Sequence, residues 1–217
     1  MQTRRSCLGI FAFIWFAVVT FYCKSATACS CMPSHPQTLY CDADYAVVVR
    51  VLRKSHRSFE NSMLYKIQVK KSFKTTPEGD MILRHHRLLT PSQDATCGVK
   101  LTIGKLYVIA GRGRNLNSCS YIREYQKMTV IERMGFTRLY RKGCDKCKIK
   151  TCFHRPCSLN DTDKTVCQWS PFDECAKNLS VCLQRTSYKE RVERDQLGKC
   201  YWRKSPVYNK CKAESLI

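Results

Sequence analysis

The sequence predicts a mainly β protein in two parts: a small closed barrel of five strands with short helices, then a small disulfide-rich β module. Three observations carry that expectation. Between residues 45 and 132, short β-branched or alternating runs recur between polar turns, the pattern of a small barrel. Beyond residue 146 the apolar runs thin out, while eight cysteines crowd into the last third. The 217 residues are 44% hydrophobic and 25% charged with only 9 Gly and 7 Pro, enough apolar material for a real core and unlike disordered, collagenous or low-complexity chains.

The chain opens on a processing segment. Arg4 and Arg5 precede an apolar run over residues 8–22, and Lys24-Ser25-Ala26-Thr27-Ala28 places small residues at both recognition positions of a cleavage site. Residues 1–28 therefore read as a secretory signal peptide cut after Ala28. An uncleaved anchor is the first rival, but 15 apolar residues fall short of the roughly 20 a span needs. A lipid-modified Cys29 is the second, and Ala26 stands where a lipoprotein signal usually carries Leu. Cleavage removes Cys7 and Cys23 and leaves 14 of the 16 cysteines, an even number, with Cys29 first. The expected product is secreted, extracellular and monomeric, and its charge is close to the +21 of the whole chain.

Residues 45–52, YAVVVRVL, read as a buried strand. In 63–71, Tyr65, Ile67 and Val69 share one face while Lys66, Gln68 and Lys70 share the other. Residues 86–90, 105–110 and 128–132 complete five strands, and 121–127 reads as a short helix. The barrel domain spans 29–146. From 147 to 217 the chain cannot fill a core alone and must be stapled by disulfides.

The residues that could carry chemistry are few. Cys144-x2-Cys147 with Cys152-x4-Cys157 has metal-site spacing, but an even cysteine count in a secreted chain favours structural disulfides. His85, His86 and His154 lack ligand-spaced partners and read as surface or loop residues. No nucleophile elbow, zinc-helix motif or phosphate loop is present, so nothing argues for an enzyme or for a cofactor of its own. The net positive charge admits sulfated glycans of the matrix as partners, with Arg112-Gly113-Arg114 and residues 138–142 the densest basic stretches; solvated loops explain them equally well. Nucleic acid is not an expected partner outside the cell. Asn160 and Asn178 head glycosylation sequons.

The informative element is the mature start, Cys29-Ser30-Cys31-Met32-Pro33-Ser34-His35-Pro36-Gln37. Two cysteines one residue apart, both bridged elsewhere, would clamp a short extended segment that Pro33 and Pro36 stiffen. The α-amino group then sits at the tip of a rigid ridge. Such an amine titrates near 7.7–8.0, so its neutral form costs under about 1 kcal/mol at physiological pH, against roughly 4 kcal/mol for a Lys amine. With its own carbonyl oxygen it can chelate zinc, and catalytic zinc sites keep a position open to an incoming ligand. A Cys29 that serves only as a disulfide anchor has the same sequence, and the residues by themselves do not choose.

Those residues resemble the tissue inhibitors of metalloproteinases. The likeness starts at Cys29-Ser30-Cys31-x-Pro33-x-His35-Pro36-Gln37 and continues through Cys41, Asp44, Thr96-Cys97-Gly98, Cys119-Ser120-Tyr121, Cys144-x2-Cys147-x4-Cys152-x4-Cys157 and Cys167-x-Trp169. It covers essentially the whole mature chain. The resemblance implies a netrin-like barrel of the OB type, a small β-rich C-terminal subdomain, and inhibition of zinc metalloendopeptidases: matrix metalloproteinases and, as a further class, membrane-shedding ones. Cys29 would ligate the target's catalytic zinc through its amine and carbonyl oxygen. Ser30 would enter the mouth of the specificity pocket, Cys31, Met32 and Pro33 would lie along the primed side, and Asp94, Ala95 and Thr96 would fill the unprimed side. The implied pairings are Cys29–Cys97, Cys31–Cys119, Cys41–Cys144, Cys147–Cys200, Cys152–Cys157 and Cys167–Cys182, which spacing alone could not pick from on the order of 10⁵ connectivities. Cys175 and Cys211 lie outside the family's twelve-cysteine pattern and pair by elimination. The rival function is a netrin-like module that binds glycans or growth factors through its basic surface. Several departures bear on selectivity and C-terminal partners: Ala95 stands where many relatives have Ser, Met32 is bulkier than the frequent Val or Ser, the loop at about 54–62 looks short, residues 184–199 are extended, and the seventh bridge is unusual.

Overall fold

The computed structural model describes residues 29–57, 61–92, 97–153, 157, 163–186 and 198–215. Five antiparallel strands form its main sheet: β1 (Tyr45–Arg57), β2 (Ser62–Thr75), β3 (Arg87–Pro91), β4 (Leu106–Gly111) and β5 (Tyr121–Glu124), in the order β3-β2-β1-β4-β5. Leu89 N–H donates to Arg114 O (3.1 Å) and Leu89 O accepts from Leu116 N–H (2.7 Å). One edge of the sheet is thereby joined to the chain linking β4 and β5, which rolls the sheet round its core.

The apolar run at the start of β1 is unbroken because both of its faces are buried. Tyr45, Val47, Val49 and Val51 point inward with Tyr65, Ile67, Leu88, Tyr107, Ile109 and Leu116. Ala46 and Val48 point outward under a second cluster with Val108, Ala110, Tyr40, Phe136 and Tyr140. Tyr40 belongs to α1 (Pro36–Asp42), which enters on Pro36 at its first turn. In β2 the expected alternation holds, with Tyr65 and Ile67 buried and Lys66, Gln68 and Lys70 exposed. A second short helix, α2 (Pro77–Arg84), is capped by the Thr76 hydroxyl, which accepts from Gly79 N–H.

Three local expectations are corrected. β1 runs on to Arg57 and β2 starts at Ser62, with Lys54 opposite Tyr65 and His56 opposite Met63. Most of the stretch read as a loop is therefore strand, polar because both of its faces are exposed over residues 52–56. Residues 121–124 form a strand rather than a helix, since Tyr121 pairs with Ala110 and buries its ring. Conversely, 128–132 is not a strand: after a tight turn at Tyr125–Lys127, Thr129 caps α3 (Val130–Met134). Thr129 Oγ1 accepts from Glu132 N–H (3.2 Å), and Glu132 Oε2 accepts from Thr129 N–H (2.7 Å). This reciprocal cap overrides the β-prone Val130-Ile131 pair. A π-helical turn (Gly135–Leu139) and α4 (Tyr140–Cys144) follow.

The C-terminal part holds two small sheets, parallel β6 (Lys148–Thr151) with β7 (Val166–Trp169), and antiparallel β8 (Ser180–Gln184) with β9 (Cys200–Lys204). Two helices accompany them, α5 (Glu174–Leu179) and α6 (Tyr208–Glu214). Its local core is largely sulfur: Cys147, Cys167, Cys182 and Cys200, with Ile149 and Trp202 packed against them. The remaining burial is borrowed, because Leu179, Val181, Leu183 and Tyr208 join the cluster of Tyr40, Phe136 and Tyr140 from the first part. Among the described residues no helix is long and apolar enough to cross a membrane.

Candidate functional site

At the described start the chain is extended and alternates: Cys29 and Cys31 are half-buried, Ser30 and Met32 exposed, with Met32 at 73%. Cys29 bonds to Cys97 and Cys31 to Cys119, with Cα separations of 5.2 and 5.3 Å. The two anchors are held together in turn. Ser118 N–H donates to Cys97 O (3.0 Å), and Ser118 Oγ lies 3.4 Å from Cys29 Sγ and 3.5 Å from Cys31 Sγ. Asn117 Oδ1 accepts from Cys119 N–H (3.0 Å) and from Ser120 Oγ (3.3 Å), fixing the turn that carries Cys119. Cys97 takes a left-handed backbone (φ 63°), which aims its sulfur back at the start of the chain.

The ridge leaves this clamp directly into a second one. Ser34 Oγ donates to Met32 O (3.3 Å), and Thr151 Oγ1 donates to Pro33 O (3.5 Å) from β6. His35, fully buried, caps α1: its Nδ1 accepts from Gln37 N–H (3.1 Å). Its ring lies 5.6 Å from that of Trp169, edge to face, and 5.0 Å from that of Trp202. Burial pushes the His35 pKa down to about 4; the contact with Ala176 O (3.4 Å) opposes this and nearby Lys177 adds to it. The Gln37 amide brackets one residue of β8, donating to Cys182 O (2.8 Å) and accepting from Cys182 N–H (2.9 Å). Cys41–Cys144 pins the far end of α1.

Among the described residues two trios of cysteine sulfurs come within 4.8 Å, Cys29/Cys31/Cys97 and Cys147/Cys182/Cys200. Every one of these sulfurs sits in a disulfide, so none is a thiolate that could hold a metal. The other bridges are Cys147–Cys200, Cys152–Cys157, Cys167–Cys182 and Cys175–Cys211, the last joining α5 to α6.

Of the remaining expected site residues, Asp94, Ala95, Thr96, His154 and Asn160 lie outside the described residues. His85 and His86 are exposed beside α2. Asn178 is half-buried, and its Oδ1 accepts from Arg123 Nη1 (2.7 Å). Arg112 is exposed, with Nε donating to Asp42 O (2.5 Å). Arg114, Arg138, Arg141 and Lys142 are exposed as well, and a further row of positive charge is formed by Arg53, Lys66 and Arg87, which stand directly opposite one another across β1, β2 and β3, all exposed. His35, Gln37, Asn117 and Ser118 received no role from sequence reasoning. A histidine just before Pro36 at a helix start, and an Asn two residues before a cysteine, are the signals that could have found them.

An exposed edge held rigid at both ends, with its sulfurs spent on crosslinks, has the form of a docking element and not of a catalytic cleft. The comparisons with known proteins agree. The family model of the tissue inhibitor of metalloproteinase matches residues 27–202. The chain is 42% identical over 207 residues to the tissue inhibitor of metalloproteinase of Drosophila melanogaster, an alignment covering 95% of this chain and 97% of that one. It is 31% identical to metalloproteinase inhibitor 3 of Gallus gallus over 185 residues (82% of each chain). With metalloproteinase inhibitor 2 of Homo sapiens it shares 31% identity over 225 residues, 93% of this chain and 90% of the relative. The chain belongs to the tissue inhibitors of metalloproteinase, a family of inhibitors and not of enzymes.

Proposed function

We propose that this protein is a secreted inhibitor of zinc metalloendopeptidases, matrix metalloproteinases foremost, and that the Cys29 α-amine and carbonyl oxygen chelate the catalytic zinc of the target. Family membership supports the inhibitory role. The observation that carries the mechanism is the clamping of alternate residues: Cys29 and Cys31 are fixed by crosslinks, while Ser30 and Met32 between and after them stay exposed. A substrate-like strand held this way loses little conformational freedom on docking, which lets a modest interface bind tightly. Ser30 would enter the target's specificity pocket, and no peptide bond would lie at the zinc to be cut, because the mature chain would begin there. Only the unprotonated amine can donate to a metal, and its ordinary pKa keeps that form accessible near neutral pH.

Removing the free amine tests this. The secreted protein is made with one Ala ahead of Cys29, or acetylated at the terminus, after mass spectrometry of the native amino-terminal residue. Inhibition should fall by at least about 100-fold, since a metal-ligand interaction of a few kcal/mol is lost, while circular dichroism and thermal midpoint stay unchanged. Undiminished inhibition by the extended form would reject chelation.

A further inference from the structure

His35 does more than fill space. It lies two residues after Pro33, the end of the ridge, and packs against α5, β7 and β9 of the C-terminal part. Gln37 N–H is a fixed donor, so the Nδ1 it meets must be bare and the ring proton must sit on Nε2, toward Ala176 O. A second proton would set Nδ1–H against Gln37 N–H, donor to donor, and place a cation on a ring with no solvent-exposed surface. Lys177, ion-paired with Glu174 at 3.0 Å, is the charge facing the ring from α5; α1, β7 and β9 present uncharged groups to it. The indole faces offer a cation some attraction, too little to replace the lost acceptor and hydration. Loss of the cap frees the first turn of α1 and with it the Gln37 amide that brackets Cys182.

We propose that His35 is a positioning residue for inhibition: its neutral ring locks the ridge to the C-terminal part, and its protonation in acidified surroundings opens the lock, loosening the inhibitor's hold on its target while the barrel stays folded. This rests on the ridge being the inhibitory element.

The sign and size follow from proton linkage. The locked state resists the proton down to about pH 4, whereas a released, hydrated His35 takes it near 6.5. The lock is therefore at full strength above about 6.5 and weakens as pH falls toward 4. Between pH 7.5 and 5 the locked-to-released ratio should drop by about 30-fold.

The readout is built in. Of the three tryptophans, Trp15 lies in the expected leader; the other two, Trp169 and Trp202, are the pair flanking His35. The full mature protein is titrated from pH 7.5 to 4 with tryptophan emission, far-UV circular dichroism and histidine NMR recorded together. His35 should stay neutral well below 6.5 and titrate together with a reversible emission change that precedes any loss of secondary structure. Titration of His35 near 6.5, or an emission that stays flat through its protonation, overturns the lock. In a second arm, dissociation of the complex with a matrix metalloproteinase is compared between the parent and His35→Asn, whose amide can cap α1 without titrating. The parent-to-variant ratio of dissociation rates, in which the protease's own pH response cancels, should rise by at least about 10-fold from pH 7.5 to 5; a constant ratio refutes the positioning role. Failure of either protein to bind any metalloproteinase at neutral pH would instead sink the inhibitory reading, while the emission and NMR arm would still decide the lock.

Discussion

Truncating Phe136 tests whether the two parts of the chain share one core. The ring has no exposed surface and stands in the π-helical turn over the outer face of the sheet. It meets Tyr121 at 4.7 Å between centroids, Tyr140 at 5.2 Å, Tyr40 at 5.5 Å and Phe73 at 5.8 Å. Phe136→Ala removes six ring carbons from a site walled by backbone and aromatic rings that cannot close in. Such truncations cost about 3–5 kcal/mol, and four ring partners, each adding about 0.5–1.5 kcal/mol beyond area, put this one near the top of that range. Phe73, half-exposed at the rim, should cost about half as much. Urea denaturation with disulfides intact measures the loss. Far-UV circular dichroism follows the barrel, and tryptophan emission follows Trp169 and Trp202 in the C-terminal part. Because Leu179, Val181 and Leu183 belong to the same cluster as Phe136, both signals should shift together. A loss under about 2 kcal/mol, or a shift in one signal alone, would show that the two parts do not share a core.

Two further outcomes are expected. Gly143→Ala would bring a methyl against the Gln37 Nε2 atom and within 2.5 Å of Cys182 O, at the contact between α4 and β8, so the thermal midpoint should fall by an amount corresponding to about 1–3 kcal/mol; no change would mean that Gln37 does not hold β8 closely. Replacing Cys175 and Cys211 together by Ser opens a loop of sequence separation 36 and should cost about 4 kcal/mol in the chain-entropy account, measured by calorimetry; a cost below about 1 kcal/mol would mean that contacts between α5 and α6, such as Tyr208 and Lys212 with Asp173, suffice without the bridge.

What could be read from the sequence was whatever leaves a periodic or compositional trace. The alternation of Tyr65, Ile67 and Val69 against Lys66, Gln68 and Lys70 placed β2 because one face of that strand is wet. The unbroken run in β1 reflects two buried faces, which only the packing of α1 and α4 explains. Strand and helix were exchanged over residues 121–132 because β5 is four residues long, too short for periodicity to register, and because the Thr129-x-x-Glu132 cap went unweighed. At the ridge, the spacing of Cys29 and Cys31 announced a clamped segment, but its anchors could not be read locally: Cys97 and Cys119 lie 68 and 88 residues away. His35 was invisible for the same reason. Its burial is made by Trp169 and Trp202, more than a hundred residues downstream.

The distribution of those anchors bears on why a seven-residue edge should need a body of this size. From Cys29 to His35 the chain makes no strand pairing of its own, so all its rigidity is borrowed. The barrel supplies one half, through Cys97 and Cys119 and the Ser118 and Asn117 that fix them. The C-terminal part supplies the other, through Thr151 at Pro33, two indole rings at His35, and Cys182 at Gln37. Crosslinks alone would hold Cys29 and Cys31 but leave Pro33 onward free to pivot about Cys31, and each freed residue restores roughly 1–2 kcal/mol of conformational entropy that docking must then remove. With both ends held, the segment can meet a partner already in its bound shape. The C-terminal part, read from sequence as a smaller disulfide-held module, is also a structural partner of the ridge, and loosening it should weaken binding at the ridge.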